Sequence, residues 1–110
     1  GGRSVAILEF ADGRKLVYKP RDLSIDTHFA HMIDWVNTRC GTDLRTPSHL
    51  VREGYGWVAF VSQVECADVA GVHRFYRRIG NLLALLYVLE GYDFHYENII
   101  AAGEYPVLID

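Results

Sequence analysis

The stretch "NLLALLYVLEGYDFHYENII", residues 81–100, decides the fold prediction. Its first half is a leucine-rich run with almost no polar face, which predicts a helix buried on several sides and ended by Gly91. Its second half places an aspartate, a histidine, a glutamate and an asparagine within residues 93–98, and an apolar stretch ending in Asp110 follows. Polar groups crowded between two apolar segments indicate either a solvated turn or a site at a helix–strand junction.

The rest of the chain alternates strand-like and helix-like patterns around this stretch. "VAILEF" and "KLVYK" flank Asp12-Gly13, which predicts a β-hairpin whose second strand ends before Pro20. Apolar residues at helical spacing predict a first helix capped by Ser24 or Asp26. The predicted strands cover 5–10, 15–19, 49–53, 56–61, 98–102 and 107–110, and the predicted helices cover 26–39 and 68–90. Turns are expected at Gly54-Tyr55-Gly56 and at "GEYP". The fold class is therefore α+β.

Composition bounds the class of protein. The 110 residues are half apolar and 23% charged, which is typical of one globular domain. A net charge of −3 gives no broad basic face, so nucleic acid is not an expected partner. No signal peptide is present, and the apolar run from Leu82 to Leu89 is too short to span a bilayer. We expect a cytoplasmic protein with reduced thiols at Cys40 and Cys66, cut from a longer chain because Gly1 replaces a start methionine.

Four residues match the requirements of phosphoryl transfer in their order and in their elements. A strand lysine holds ATP phosphates, a loop aspartate accepts the hydroxyl proton, and an asparagine and a second aspartate hold metal ions. Asp93 and Asn98 have the required five-residue separation, and Asp110 lies twelve residues further on. Lys19 ends a predicted strand just before a helix. Each part alone is weak, but the ordered set indicates a protein-kinase-like arrangement.

"KLVYKPR", "GYGW" and "RFYRRIGNLLALLYVLEGYDFHYENIIAAGEYPVLID" resemble the dehydratase domain of the class II lanthipeptide synthetases (LanM type). The resemblance implies a kinase-like fold, with small lobe and hinge at 1–62 and the start of the large lobe at 63–110. It implies ATP- and Mg²⁺-dependent phosphorylation of Ser and Thr in a precursor peptide with leader and core, followed by phosphate elimination. It also implies a zinc-dependent cyclase domain in the same full-length chain.

The resemblance assigns roles to five residues. Lys19 is the expected phosphate-binding lysine, and Asp93 orients or deprotonates the substrate hydroxyl. His95 serves the proton transfers, since a histidine titrates near neutral pH. Asn98 and Asp110 are the expected metal ligands, because their oxygen atoms suit Mg²⁺.

The chain departs from the expected pattern in two places. The first hairpin has no glycine-rich phosphate loop, since "EFADGRK" has one glycine, and Ala59 stands where an acidic residue is expected after "GYGWV". Two other functions therefore stay open: a non-catalytic kinase-like module that binds peptide, and a small-molecule phosphotransferase of kinase-like fold. The isolated fragment is expected to be inactive, because catalytic groups act as a unit.

Structural roles are expected for the remaining polar residues. Arg74, Arg77 and Arg78 are interpreted as a solvated basic face of the long helix, and His28 and His31 as surface residues. The helix from Gly80 to Glu90 lacks the partners of a complete large lobe. We expect it to leave an apolar patch exposed or to self-associate with a second copy.

Overall fold

The computed structural model describes residues 4–90 and 99–109. Eight elements follow one another, and their class is α+β, as predicted. They are β1 (Ala6–Glu9), β2 (Lys15–Lys19), α1 (Ser24–Cys40), β3 (His49–Arg52), β4 (Tyr55–Ala59), α2 (Val69–Glu90), β5 (Ile99–Ala102) and β6 (Tyr105–Leu108). They divide between two compact units, one formed by residues 1–32 and 47–60 and the other by 33–46 and 61–110.

The first unit is built on an antiparallel sheet with the strand order β1-β2-β4-β3. The predicted turn at Asp12-Gly13 joins β1 to β2: Gly13 has a φ of 88°, and the Asp12 carboxylate accepts a bond of 3.0 Å from the Arg14 backbone N–H. The second turn differs from the prediction. Gly54 adopts the left-handed conformation, whereas Tyr55 and Gly56 already belong to β4.

Helix α1 begins earlier than predicted, and its cap is a different residue. The Asp22 carboxylate accepts bonds of 3.0 Å from both the backbone N–H and the hydroxyl of Ser24. The predicted caps, Ser24 and Asp26, lie inside the helix. Gly41, with a φ of 67°, follows the last turn as predicted.

The second unit contains α2 and the β5–β6 hairpin. Asp68 caps α2, because its carboxylate accepts a bond of 2.6 Å from the Gly71 backbone N–H. The hairpin turn is shorter than "GEYP" predicts: Pro106 lies within β6, opposite Ala101.

Each unit has its own apolar core. Leu23 and Phe29 are buried in the first unit, while the second buries Ile33, Leu44, Leu82, Val107 and Leu108. Helix α2 is not buried on several sides as predicted, because Leu83, Tyr87 and Val88 are exposed by 53%, 80% and 58%. The alternative expectation, an exposed apolar patch on this helix, is confirmed.

Three smaller sequence predictions also have an outcome. Cys40 and Cys66 are free thiols, as expected. His28 and His31 are exposed on α1, as expected. Within 4–90 and 99–109, neither helix combines the length and apolar character that a bilayer span requires.

Candidate functional site

Lys19 is the predicted site residue that the structure describes. It is the last residue of β2, half-buried, and lies directly opposite Gly56 of β4. Strand β2 is internal, with β1 on one side and β4 on the other. The backbone of β2 is thus held by two ladders, which makes it a rigid support for this side chain.

The side chain of Lys19 lies on the sheet face to which α1 is hydrogen-bonded through Thr27. Side chains alternate along a strand, so Lys19 shares its face with Val17, and Val17 lies opposite Val58. His49 lies opposite Val58 in turn, and its imidazole is hydrogen-bonded to the Thr27 hydroxyl of α1 at 3.0 Å. A strand lysine followed directly by a helix on its own face is the arrangement that a kinase-type phosphate lysine requires.

Gly56 leaves room beside Lys19 for the side chain of Leu23, the residue that precedes α1. A Cβ atom built at Gly56 would lie 2.3 Å from Cδ1 of Leu23 and 3.0 Å from the backbone oxygen of Leu50. Leu23 is fully buried at this point. The glycine opposite Lys19 is therefore a requirement of packing, since any side chain there would displace Leu23.

The opposite face of the sheet carries an open apolar groove of about 500 Å³. Its apolar lining includes Leu8, Phe10, Leu16, Leu50 and Trp57. Leu16 alternates with Val17 in β2, so the groove and the Lys19 side chain lie on different faces. The groove is consequently separate from the predicted phosphate position.

The second unit is organised around a buried arginine. Arg78 is 2% exposed and is the one charged residue buried within the described ranges. Its Nε and Nη2 donate to the Asp43 carboxylate at 3.0 and 2.5 Å, and its Nη1 donates to the Glu104 backbone oxygen at 2.9 Å. Nη1 also lies 3.2 Å from the Glu104 carboxylate. The prediction that this arginine belongs to a solvated face is wrong.

Arg74 completes what we call the Arg78 cluster, formed by Asp43, Arg74, Arg78 and Glu104. Its Nε donates to both carboxylate oxygens of Glu104 at 3.0 Å, and its Nη2 donates to one of them at 2.7 Å. Such forked contacts fix the direction of both side chains. Arg77 is exposed, so the solvated-face interpretation holds for this member of the trio alone.

Tyr105 is stacked between two guanidinium groups. The Cζ atom of Arg45 lies 3.4 Å from the ring centre, and that of Arg78 lies 3.8 Å from it. The stacking links the loop after α1, helix α2 and strand β6 through a single aromatic ring.

The charges of the Arg78 cluster stabilise one another. The hydrogen bond from Arg78 lowers the pKa of Asp43, and the hydrogen bond from Arg74 lowers the pKa of Glu104. The same contacts raise the pKa of Arg74, chiefly through Glu104, and of Arg78, chiefly through Asp43. All four groups are charged at neutral pH.

The other predicted site residues, Asp93, His95, Asn98 and Asp110, lie outside the described residues. Within the described ranges no three His, Cys, Asp or Glu side chains are grouped so as to hold a metal ion. The assignment of Asn98 and Asp110 as metal ligands stays a prediction. Amide and carboxylate oxygens are nevertheless the donor types that Mg²⁺ takes.

Comparison with known proteins assigns the class of this chain. The family model described as "Domain of unknown function (DUF4135)" matches residues 1–110, and the chain belongs to this family, which is associated with lanthionine synthetases. The chain is also similar in sequence to the "Lacticin 481/lactococcin biosynthesis protein LcnDR2" of Lactococcus lactis subsp. lactis. It is 31% identical over 115 residues, which cover 96% of this chain and 12% of the relative.

These matches confirm the resemblance to LanM-type synthetases. The chain spans about an eighth of the length of the curated relative that it matches. The match therefore concerns one segment of a much longer protein.

Sequence reasoning missed the Arg78 cluster and the His49–Thr27 bond. One signal for the cluster was available. Arg74 and Arg78 are four residues apart and therefore share a helix face. Arg77 is adjacent to Arg78 in the sequence, so the two do not face the same way. The partners Asp43 and Glu104 are 35 and 26 residues from Arg78, and no local pattern indicates such pairs.

Proposed function

We propose that this chain supplies the phosphate-binding strand and the catalytic loop of a lanthipeptide synthetase dehydratase with a kinase-like fold. The full-length enzyme would phosphorylate Ser and Thr of a precursor peptide, with leader and core, using ATP and Mg²⁺, and would then eliminate phosphate. A cyclase domain in the same full-length chain would use the dehydroamino acids for thioether rings. The proposed location is the cytoplasm.

The observation that carries the proposal is the placement of Lys19 on an internal strand, on the sheet face where His49 is hydrogen-bonded to Thr27 of α1. In protein kinases the lysine that holds the phosphates likewise lies on a strand of the small lobe, next to the helix that follows it. The family membership and the match over nearly the whole chain support the same arrangement.

The proposed steps divide between the predicted residues. Mg²⁺ held by Asn98 and Asp110 would neutralise the phosphate charge. The Lys19 ammonium would bind phosphate oxygens and hold them in line. Asp93 would accept the proton as the substrate hydroxyl attacks the γ-phosphorus and ADP leaves. In the elimination, a base takes the Cα proton, the Cα=Cβ bond forms and phosphate leaves with the C–O electron pair; His95 is suited to one of these proton transfers.

The test compares two lysines of one strand in the full-length synthetase. Lys15 and Lys19 lie on the same face of β2, and Lys15 contacts the Phe60 ring at 5.0 Å. We expect Lys19→Met to lower the rate of peptide dehydration about 100-fold or more, because one charge-stabilising donor is lost. The dehydration rate of Lys15→Met should stay within about 3-fold of the wild-type rate, because this is a surface substitution.

The measurement is mass spectrometry of the precursor, which loses one water per event, together with far-ultraviolet circular dichroism to confirm folding. A folded Lys19→Met enzyme with wild-type activity would refute the role of this lysine. A wild-type enzyme that needs no ATP would refute the reaction itself.

A peptide-binding module without catalysis is the second candidate. The observation that favours it is the β1–β2 hairpin, whose short turn holds one glycine and whose Asp12 carboxylate is paired with Arg14 at 2.7 Å. Such a turn gives no run of free backbone N–H groups for phosphates. Calorimetry of the full-length protein with Mg·ATP and, separately, with precursor peptide distinguishes the two candidates, since this second one binds peptide alone.

A further inference from the structure

Strand β1 lies at one edge of the sheet in the first unit, and none of the described strands pairs with its outer side. The backbone N–H of Phe10 donates to the Arg14 oxygen across the hairpin at 2.8 Å, so the backbone of Phe10 faces β2. The direction of hydrogen bonding alternates along an antiparallel strand, and Leu8 therefore faces β2 as well. Ile7 and Glu9 consequently direct their N–H and C=O groups away from the sheet.

The side chains of β1 do not protect this open edge. Edge strands usually carry a lysine, a proline or a bulge that prevents pairing with another chain. Strand β1 reads "AILE", its four residues are all exposed, and its register with β2 is regular. Glu9 is its one charged residue and lies opposite Lys15 of β2. An edge of this composition favours pairing with an additional extended chain.

The apolar groove on the face opposite Lys19 begins at the same strand. Leu8 and Phe10 both line it, and they are exposed by 41% and 47%. Leu50 and Trp57 continue the lining across β3 and β4. An extended segment paired with β1 would place every second side chain on this face, next to the groove. The open edge and the groove therefore form one continuous surface.

The size of this surface fits a short peptide segment and not a second copy of the chain. Four strands of four or five residues give a face of about 13 Å by about 15 Å, or about 200 Å² in projection. A stable pair of proteins buries about 800 Å² on each partner. The groove volume of about 500 Å³, in contrast, lies within the usual range for a binding pocket.

The backbone groups of the edge also select the conformation of the bound segment. A helix uses its own N–H and C=O groups internally, so its side offers no partners for Ile7 and Glu9. An extended peptide offers both groups at every second residue. Strand addition of this kind obtains its affinity from the backbone bonds and its specificity from alternate side chains.

We propose that an extended segment of the precursor peptide binds as an added strand along β1, with apolar side chains at alternate positions in the groove. This inference rests on the proposed function, because it takes the precursor peptide as the partner. The groove lies on the sheet face opposite the Lys19 side chain. The bound segment is therefore distant in the peptide from the Ser or Thr that reacts, and it contributes affinity and not chemistry.

The experiment measures binding of a fluorescently labelled precursor peptide to the full-length synthetase by anisotropy. Ile7→Pro removes an outward N–H and leaves the bonds between β1 and β2 in place, because proline is tolerated on an edge strand. We expect the dissociation constant of the peptide to rise about 10-fold or more, since a backbone bond is lost and the proline ring obstructs the edge.

The matched control is Val51→Pro on β3, the other edge of the same sheet. The Ala59 N–H donates to the Ser48 oxygen at 2.8 Å, so Ser48 faces β4 and Val51, three residues later, faces outward. This variant makes the same change at the opposite edge. We expect it to alter the dissociation constant of the peptide less than about 2-fold.

A second pair of variants tests the groove and does not depend on the edge. Phe10→Ser removes an exposed apolar side chain from the lining, and we expect it to weaken peptide binding about 10-fold. Ile25→Ser changes an exposed apolar residue of α1 that does not line the groove, and it should change binding less than about 2-fold. This pair decides the question if Ile7→Pro does not fold.

Kinetics separate docking from a purely structural role. The KM for precursor peptide should rise in Ile7→Pro and Phe10→Ser, while kcat at saturating peptide stays at the wild-type value. A folded Ile7→Pro enzyme with a lower Tm and wild-type peptide affinity would overturn the proposal, because another strand of the synthetase would then cover the edge. Dissociation of a wild-type dimer in Ile7→Pro, again with unchanged affinity, would overturn it in favour of a second copy.

Failure of the proposed function would look different. A wild-type synthetase that neither binds nor dehydrates the precursor peptide would reject the peptide as the partner. A wild-type synthetase that binds and dehydrates it, with Ile7→Pro and Phe10→Ser equal to it in affinity, would reject the site on β1 and leave the proposed function intact.

Discussion

Each of the two units is stabilised internally by a different kind of interaction. The first contains four strands joined by backbone ladders, and Leu23, the residue before α1, is fully buried beside Gly56 of β4. The second joins a helix, a loop and a hairpin through the Arg78 cluster and the stacked Tyr105 ring. Backbone ladders and apolar packing tolerate changes of charge, whereas a charged cluster depends on every member. Substitutions should therefore have different signatures in the two units.

The largest effect on stability is expected in the first unit. Leu23→Ala leaves a cavity beneath the sheet, since Leu23 is completely buried. We expect a loss of about 3 kcal/mol in the free energy of unfolding. Urea denaturation followed by circular dichroism measures it, with Ile25→Ala on the exposed side of α1 as the control. A loss below about 1 kcal/mol for Leu23→Ala would show that α1 does not depend on this contact.

The second effect concerns the charged cluster. Arg78→Met removes the guanidinium donors to the Asp43 carboxylate and to the Glu104 backbone oxygen, and we expect a loss of about 2–3 kcal/mol in the free energy of unfolding. This is less than for a fully buried pair, because water still reaches the 47% exposed Asp43 side chain. Arg77→Met on the adjacent exposed position should cost less than about 0.5 kcal/mol. Equal losses of unfolding free energy in Arg78→Met and Arg77→Met would contradict the claim that Arg78, unlike Arg77, stabilises the second unit.

The third effect is the dependence of stability on pH. The pKa values of Asp43 and Glu104 are lowered in the folded protein, chiefly by hydrogen bonds from Arg78 and Arg74 respectively. Their contribution is therefore fully present above the usual carboxyl pKa of about 4, and it is lost as the pH falls through the lowered values. Denaturation midpoints between about pH 6 and pH 3 should fall less steeply in Glu104→Gln than in wild type. Identical slopes in the two proteins would show that Glu104 does not contribute to the pH dependence of stability.

The smallest effect concerns the exposed apolar patch on α2. Leu83→Ser should change the free energy of unfolding by less than about 0.5 kcal/mol, because Leu83 is half-exposed. Leu82→Ser, at the buried neighbouring position, should destabilise the protein far more. The same Leu83→Ser variant should bind less of a fluorescent dye that reports apolar surface. Unchanged dye binding would mean that another surface, such as the sheet groove, dominates the signal.

The sequence predicts the first unit better than the second for a physical reason. Alternating strands, the Asp12-Gly13 turn and the apolar spacing of α1 are local patterns, and each defines an element within a few residues. The errors in the first unit are local too: Asp22 caps α1, and Tyr55 and Gly56 belong to β4 instead of the turn before it. By contrast, the burial of Arg78 depends on Asp43 and Glu104, which reach it only after folding. The four-residue spacing of Arg74 and Arg78 places them on one helix face, but it does not predict which partners bury Arg78.

The sequence predicts the position of Lys19 in the candidate site but not the packing around it. The position of Lys19 at the end of a strand follows from "KLVYKPR", and the structure adds that this strand is internal and that Thr27 of α1 is hydrogen-bonded to the same face. Gly56, the neighbour opposite Lys19, had no predicted role in packing, because its contact with Leu23 is not local. The roles of Asp93, His95, Asn98 and Asp110 stay predictions from their spacing and from the family.

The most direct test of the central claim is an experimental structure of the full-length synthetase with Mg²⁺ and a non-hydrolysable ATP analogue. The account predicts that Nζ of Lys19 lies about 3 Å from a phosphate oxygen, with Asn98 and Asp110 as ligands of the metal on the same triphosphate. A structure in which Nζ of Lys19 points away from the nucleotide, with Asp93 and Asp110 on another surface, would contradict it.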